Sequence, residues 1–494
     1  MADPPRTIRK LLAAALLAAF AAPAFAQGLP DLGDASSATL SESQERTIGN
    51  RIMREVRVDP AYVDDPYVAE YVATLGARLL GVTDAPRREL SFFAVQDDSV
   101  NAFALVGGHI GIHTGLMLLT QNESELAGVV AHEIAHITQR HQARSMHGQS
   151  RTQWTSLAAL ALALLASRGG GSQSGQITEA AVATAGALQM QNQIDYTREH
   201  EREADRVGLT MLERAGFDPR GMASFFERML RANRLNEFKG APSYLRTHPL
   251  TTERIADIQD RLDRGNPRMV PDSFEYRLVR ARLRAASGSA TEAVTHFRNA
   301  LADQSVLRPR EDVYGLALAL RRARDFEAAQ RTLAPLREGP GGTHPAFEAL
   351  AGQLAADLKR DDEALRIYRA ALERFPRHRA LSYAYLEHLL HSGRTREALA
   401  DLEERLRGVQ DDARLYELQA RAYEAVGRRV AQHRAQAEAH FRRGNLAAAV
   451  DQLEIAIKVK DGDFYALSSA ESRLREIRVL LENERAAEKA LKIS

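Results

Sequence analysis

The chain has 494 residues, 45% of them hydrophobic, with 66 basic against 65 acidic side chains and a formal charge of +1. That length suits more than one domain, and the near-neutral balance argues against nucleic acid as the main partner. No cysteine occurs anywhere, which excludes both a disulfide framework and a lipid-anchored cysteine behind a leader.

In chain order, residues 1–26 read as a secretory signal peptide. Arg6, Arg9 and Lys10 form a basic start, Leu11 to Ala22 a short apolar run, and Ala24-Phe25-Ala26 an A-x-A cleavage site before Gln27. The run is too short for a membrane span, which needs ~20 residues. Cleavage would leave 468 residues and, because the leader carries three positive charges and one negative, a mature charge of −1. The expected location is the periplasm, soluble after removal of the leader and associated with the outer membrane.

Ser91 to Val95 and Phe103 to Ile112 read as strands rich in Phe, Val and Ile, the second broken by Gly107 and Gly108. A strand beside the following helix would offer a free edge to an extended peptide. His109 and His113 stand four apart on one strand face, where half-buried histidines are the expectation. That helix starts at Asn122-Glu123-Ser124-Glu125, a cap followed by acidic residues, and continues through the apolar Leu126 to Ala131. It carries His132-Glu133-Ile134-Ala135-His136. Positions i and i+4 project from one face, so both imidazoles can grip one metal ion. Glu133 lies beside them, able to take a proton from a water without occupying the metal. His141 and His147 follow with no partner at ligand spacing and are excluded as ligands.

Leu157 to Ala166 and Glu179 to Leu188 are apolar or Ala-rich, joined by the Gly-rich Arg168 to Gly175. Each is too short to span a bilayer. The expectation for 155–190 is a hairpin or lid resting on the site, on a membrane or on a partner, with ordinary core packing as the alternative. Next comes Arg198-Glu199-His200-Glu201-Arg202-Glu203-Ala204-Asp205. Two histidines do not complete a catalytic zinc site, which usually has three protein ligands. Glu201 and Asp205 share a helix face, so Glu201 could bind metal while Asp205 bonds a ligand histidine. Glu199 and Glu203 would be solvated and paired with Arg198, Arg202 or Arg206, and His200 faces away. Spacing alone favours Glu201 only modestly.

The H-E-x-x-H of residues 132–136, followed by the E-x-x-A-D of Glu201 to Asp205, resembles the M48 metallopeptidases. Asn101-Ala102-Phe103-Ala104, Gly107-Gly108, Thr247-His248-Pro249 and Glu253-Arg254-Ile255 also match that family's pattern. The resemblance spans roughly residues 40–265. It implies one Zn²⁺ per chain on His132, His136 and Glu201, with Glu133 as general base. It further implies that His248 can take the metal's open position and hold the enzyme quiet; the alternative is a histidine in a turn before Pro249. Arg254 matches a family arginine near the active site, read as an oxyanion stabiliser.

From about Asp272 the composition turns to Ala, Leu, Arg and Glu. Glu292-Ala293, Glu327-Ala328, Glu363-Ala364 and Glu397-Ala398 recur at intervals of 35, 36 and 34, the period of tetratricopeptide (TPR) helix pairs. Gly288, Gly393 and Gly444 each precede an Ala by five residues, but Ala398 to Ala449 is 51 residues, so Ala413 to Gln436 reads as a degenerate unit. Such an array performs no chemistry and binds peptides or proteins on its concave face. Tyr314, Tyr368, Tyr383, Tyr385, Tyr416 and Tyr423 are candidates for that face, with a helix-core role the stronger reading.

The expected fold is an α+β zincin-like metalloprotease domain, mainly helical with a small sheet, over 27–268, followed by an all-α TPR solenoid over 272–494. The expected function is zinc-dependent endopeptidase action in outer-membrane protein quality control. The resemblance implies misfolded outer-membrane proteins as substrates and the outer-membrane barrel assembly machinery as a partner of the repeats. The rival reading is a chaperone or assembly scaffold whose protease site is normally shut by His248.

Overall fold

The computed structural model describes residues 41–83, 89–145, 198–235, 243–263, 269–302, 309–339, 343–459, 461 and 464–493. The expected leader and the 155–190 segment lie outside the described residues. Helix α1 (Glu42–Val56) opens with a capping box, in which Ser41 Oγ accepts from the Gln44 N–H and the Gln44 side chain accepts from the Ser41 N–H. Helix α2 (Pro66–Leu80) starts behind Asp65, whose carboxylate accepts from the N–H groups of Tyr67 and Val68.

Strands β1 (Ser91–Val95), β2 (Ala102–Leu105) and β3 (His109–His113) form one sheet in the order β1-β3-β2. β1 runs parallel and β2 antiparallel to β3. The stretch expected as a glycine-broken strand is therefore a hairpin. Gly107 and Gly108 turn it at φ 87° and 88°, where side chains are strained. His109 and His113 are buried rather than half-buried, against Ser91 Oγ at 2.5 Å and Ser99 Oγ at 2.9 Å.

Helix α3 (Thr114–Leu119) leads to α4 (Glu123–Thr138), capped by Asn122 accepting from the Glu125 N–H and buried at every residue from Glu123 to His136. A helix enclosed on all sides needs small or apolar residues around its circumference, which Leu126 to Ala131 supply. After α5 (His141–Ser145) come α6 (Arg198–Arg214), α7 (Arg220–Arg234), α8 (Ser243–Thr247) and α9 (Thr252–Asp263). Helices α2, α6 and α7 and strand β2 all pack on α4. Gly208 sets the α4–α6 spacing: a Cβ there would lie 3.2 Å from the His132 backbone nitrogen and 3.0 Å from Met222 Cε. Close approach is what lets short side chains from α6 reach those of α4.

The remaining described helices form six pairs: α10 (Phe274–Ala286) with α11 (Ala290–Ala302), α12 (Arg310–Arg322) with α13 (Phe326–Glu338), α14 (Pro345–Asp357) with α15 (Asp361–Arg374), α16 (Arg379–His391) with α17 (Thr395–Gly408), α18 (Ala413–Ala425) with α19 (Arg429–Arg442), and α20 (Leu446–Lys458) with α21 (Phe464–Ile493). The degenerate stretch is thus a regular pair. Gly288, Gly393 and Gly427 turn within pairs at φ 59°, 72° and 73°, whereas Gly444, at φ 74°, turns between α19 and α20. The 51-residue interval is one and a half periods, because the Gly-to-Ala rhythm reappears on the other kind of turn. Tyr314, Tyr368, Tyr383 and Tyr385 are core residues, and Tyr416 and Tyr423 are partly buried against the cluster that holds the last three.

The array is joined tightly to the first half. Tyr276, Val279 and Leu283 of α10 belong to the same apolar core as α4. The buried Glu123 accepts from Tyr71 Oη, Ser273 N–H and Ser273 Oγ at 3.1, 2.8 and 2.8 Å. The start of α2 packs into the middle repeats through Tyr67, with the Arg282 guanidinium 4.4 Å above its ring and 2.5 Å from Asp65. Arg54 of α1 pairs with Glu484 of α21 at 2.5 Å. Among the described residues, no helix is long and apolar enough to cross a membrane.

Candidate metal centre

The i, i+4 spacing on α4 turns His132 and His136 towards one point, their Nε2 atoms 3.0 Å apart. The first turn of α6 brings Glu201 to the same point, with Oε1 3.3 Å from His136 Nε2 and Oε2 3.4 Å from His132 Nε2. The short helix α8 delivers His248 from the remaining side. The His248 N–H donates to Tyr244 C=O at 2.8 Å, and the two rings stack 4.8 Å apart. His248 Nδ1 lies 3.3 Å from His132 Nε2 and 3.0 Å from Glu201 Oε1. All four residues are buried.

These separations test whether a metal fits. Ligand bonds of 2.0–2.1 Å in a tetrahedron place the donors about 3.3–3.4 Å from one another. Neighbouring donors lie 3.0 to 3.4 Å apart, close to that shell, with Glu201 meeting His136 through one oxygen and His132 through the other. The charges agree. Burial opposes charge on Glu201, yet His248 and His132 outweigh it and hold the carboxyl well below its ordinary range. Burial also opposes charge on His132, but Glu201 and Asp205 raise it to about 9. Burial dominates at His136 and drives it well below 6.5. A carboxylate held ionised among buried imidazoles is a donor set that suits a divalent cation.

Glu133 sits beside this cluster, buried, with Oε1 3.4 Å from His248 Nε2 and without a hydrogen-bond partner. Burial raises its carboxyl above the ordinary value, against the His248 and His132 charges and a hydrogen bond from the Ala104 backbone. Ala104 belongs to β2, an edge strand, and its C=O accepts from Gln142 Nε2 at 2.8 Å. A cleft lined by Glu45, Leu105, Gly107, His136, Arg140 and Gln142 runs along the hairpin to His136.

The residues behind the donors account for the rest. Asp205 Oδ1 lies 2.9 Å from His132 Nδ1, on the ring edge facing away from the cluster. Arg254, expected as an oxyanion stabiliser, lies behind the donors. Its guanidinium is buried and committed, donating to Asp205 Oδ2 at 2.7 Å, Asp205 Oδ1 at 2.8 Å and Pro249 C=O at 2.8 Å, with Nη1 also 2.8 Å from Glu201 Oε2. In this arrangement its guanidinium bridges the Asp205 and Glu201 carboxylates. The expected pairing of Glu203 is corrected: it pairs with Arg144 and His141, while Arg202 and Arg206 pair with Glu253 and Asp257. His141, excluded as a ligand, is wholly buried with Nδ1 3.0 Å from His136 Nδ1 and its ring stacked 4.5 Å from that of His200. Its position was not legible because the chain turns sharply after α4, at Arg140 with φ 53°.

A buried H-E-x-x-H helix, a carboxylate from a second helix and an edge strand at the general base define a metallopeptidase. The chain belongs to peptidase family M48, whose model matches residues 66–262. It is similar to the beta-barrel assembly-enhancing protease of Escherichia coli (strain K12), 33% identical over 460 residues that cover 91% of this chain and 93% of that protein. A putative beta-barrel assembly-enhancing protease of Vibrio cholerae is 37% identical, covering 68% of this chain and 69% of its own length. The metalloprotease LoiP of Escherichia coli is 28% identical over 45% of this chain and 82% of its own. Among solved structures, the TPR protein YrrB covers 40% of this chain and 91% of its own at 17% identity, with a TM-score of 0.22 that carries no argument.

Proposed function

We propose that the protein is a periplasmic zinc endopeptidase acting on misfolded outer-membrane proteins, with an exported mature chain, a protease domain over 27–268 and a TPR domain over 272–494. The carrying observation is the buried convergence of donor atoms from His132, His136, Glu201 and His248 within 4.8 Å of one another, beside the Glu133 oxygen that makes no hydrogen bond. Similarity to proteins named for β-barrel assembly supports the outer-membrane role and the barrel assembly machinery as partner of the repeats.

His132 and His136 through Nε2, and Glu201 through its carboxylate, would hold the zinc. When bound there, zinc acidifies a water and polarises a peptide carbonyl. Glu133 accepts the water's proton, helped by the burial that raises its carboxyl, and returns it to the leaving amine. An extended substrate adds to the β2 edge, where Ala104 presents backbone groups now held by Glu133 and Gln142. Asp205 and Arg254 are positioning residues for His132 and Glu201.

His248 favours a second reading. Four protein donors close the shell of a structural site, whereas catalysis needs an open position. The enzyme is therefore restrained by its own histidine, and the scaffold role operates while it stays in place. The Glu133→Gln variant tests the chemistry. It should keep about one zinc per chain and cleave no casein, and cleavage by that variant would overturn the mechanism. Envelope integrity in cells carrying it would assign the scaffold role separately.

A further inference from the structure

We propose that His141 and Glu203 form a relay that fixes the tautomer and orientation of His136, making both positioning residues for the metal centre. This rests on the reading of His136 as a metal ligand through Nε2. A neutral imidazole that gives Nε2 to a metal carries its proton on Nδ1. That Nδ1–H points at His141 Nδ1, 3.0 Å away. To accept it, His141 must be unprotonated at Nδ1 and carry its own proton on Nε2. His141 Nε2 lies 3.1 Å from Glu203 Oε2, a carboxylate that can only accept when ionised. Every tautomer in the chain is then determined: His136 donates to His141, and His141 donates to Glu203.

The surroundings hold the relay in place. His141 is wholly buried, so no bulk water replaces it as acceptor. The His200 ring covers it at 4.5 Å with planes 15° apart. Glu203 Oε2 also accepts from Arg144 Nη1 at 3.0 Å, which keeps it ionised and in position. The arrangement parallels the other ligand. His132 has Asp205 directly behind it with Arg254 behind that, whereas His136 reaches Glu203 through His141, with Arg144 behind. Partners of this kind orient ligand imidazoles and raise their basicity, and losing one costs about 10–100-fold in metal affinity.

The test is zinc affinity of the full chain, measured by competition with a chromophoric chelator. Weakening by about 10–100-fold is expected for His141→Ala, and about tenfold for Glu203→Ala. Glu203→Gln, which keeps an oxygen acceptor, should recover to within about threefold of the parent. His141→Ala with Glu203→Ala should bind as His141→Ala alone, because Glu203 acts through His141. Glu203 is partly exposed, so Glu203→Ala remains informative should His141→Ala not fold, as judged by melting of the metal-free protein. Folded variants binding zinc within about twofold of the parent would overturn the relay, as would a Glu203→Ala loss that persists without His141. His136→Ala separates the two readings: if it binds zinc like the parent, the ligand assignment itself fails; if it loses zinc while the relay variants do not, only the relay fails.

Discussion

Arg254→Ala should be among the most damaging single substitutions away from the metal donors. Arg254 is 3% exposed and makes a two-pronged bond to Asp205 at 2.7 and 2.8 Å, with a further contact to Glu201 at 2.8 Å. Truncation leaves both carboxylates buried without their cation. Breaking a buried pair in this way costs about 3–5 kcal/mol, a large part of a typical stability of about 5–15 kcal/mol. Arg254→Lys should recover little, because an ammonium cannot make the parallel bonds. Arg202–Glu253 provides an internal comparison at 2.7 Å, with side chains 40% and 66% exposed. Arg202→Ala should cost at most about 1 kcal/mol. Urea unfolding of metal-stripped proteins measures all three. An Arg254→Ala loss no greater than that of Arg202→Ala, combined with abolished peptide hydrolysis, would refute the positioning role and restore a direct one.

Further outcomes follow from packing and burial. Gly208→Ala should force α6 from α4, costing about 1–3 kcal/mol and lowering zinc content by elemental analysis; an unchanged unfolding midpoint would contradict the close crossing. Tyr67→Phe should raise stability by about 1 kcal/mol, because the buried hydroxyl has no partner among the described residues; a lower urea midpoint would show a missed bond. Burial lowers both His109 and His113 to about 4. Above pH 6.5 they are neutral whether folded or not. Between 6.5 and 4 mainly the unfolded chain takes up their protons, so stability is lost as pH drops through that window, by up to about 2.7 kcal/mol per unit for the pair. Replacing both with glutamine should flatten that slope, and an unchanged slope would refute their burial.

The parts of the site legible in the sequence are those governed by helical spacing. His132, Glu133 and His136 converge because four residues make about one turn, and Asp205 reaches His132 because it shares a face with Glu201. What could not be read depends on how separate elements cross. His141 lies five residues beyond His136, past the end of α4, so no periodicity places its ring against a ligand. Arg254 was recognisable by motif, yet its partners follow from the packing of α9 on α6. The repeats show the same division: the 34-residue period was readable, while Gly444 lay half a period out because it turns between pairs. Nor did composition reveal that α10 shares the core of α4, since its Tyr276 meets Thr120 across 156 residues.

The most direct test of the account compares casein cleavage by the mature protein with cleavage by its His248→Ala variant, using Glu133→Gln as blank. Faster cleavage by His248→Ala, with none from the blank, is the expected result: a competent zinc peptidase restrained by a histidine at its fourth position. No cleavage by a folded, zinc-loaded His248→Ala protein would contradict it and leave the scaffold reading in its place.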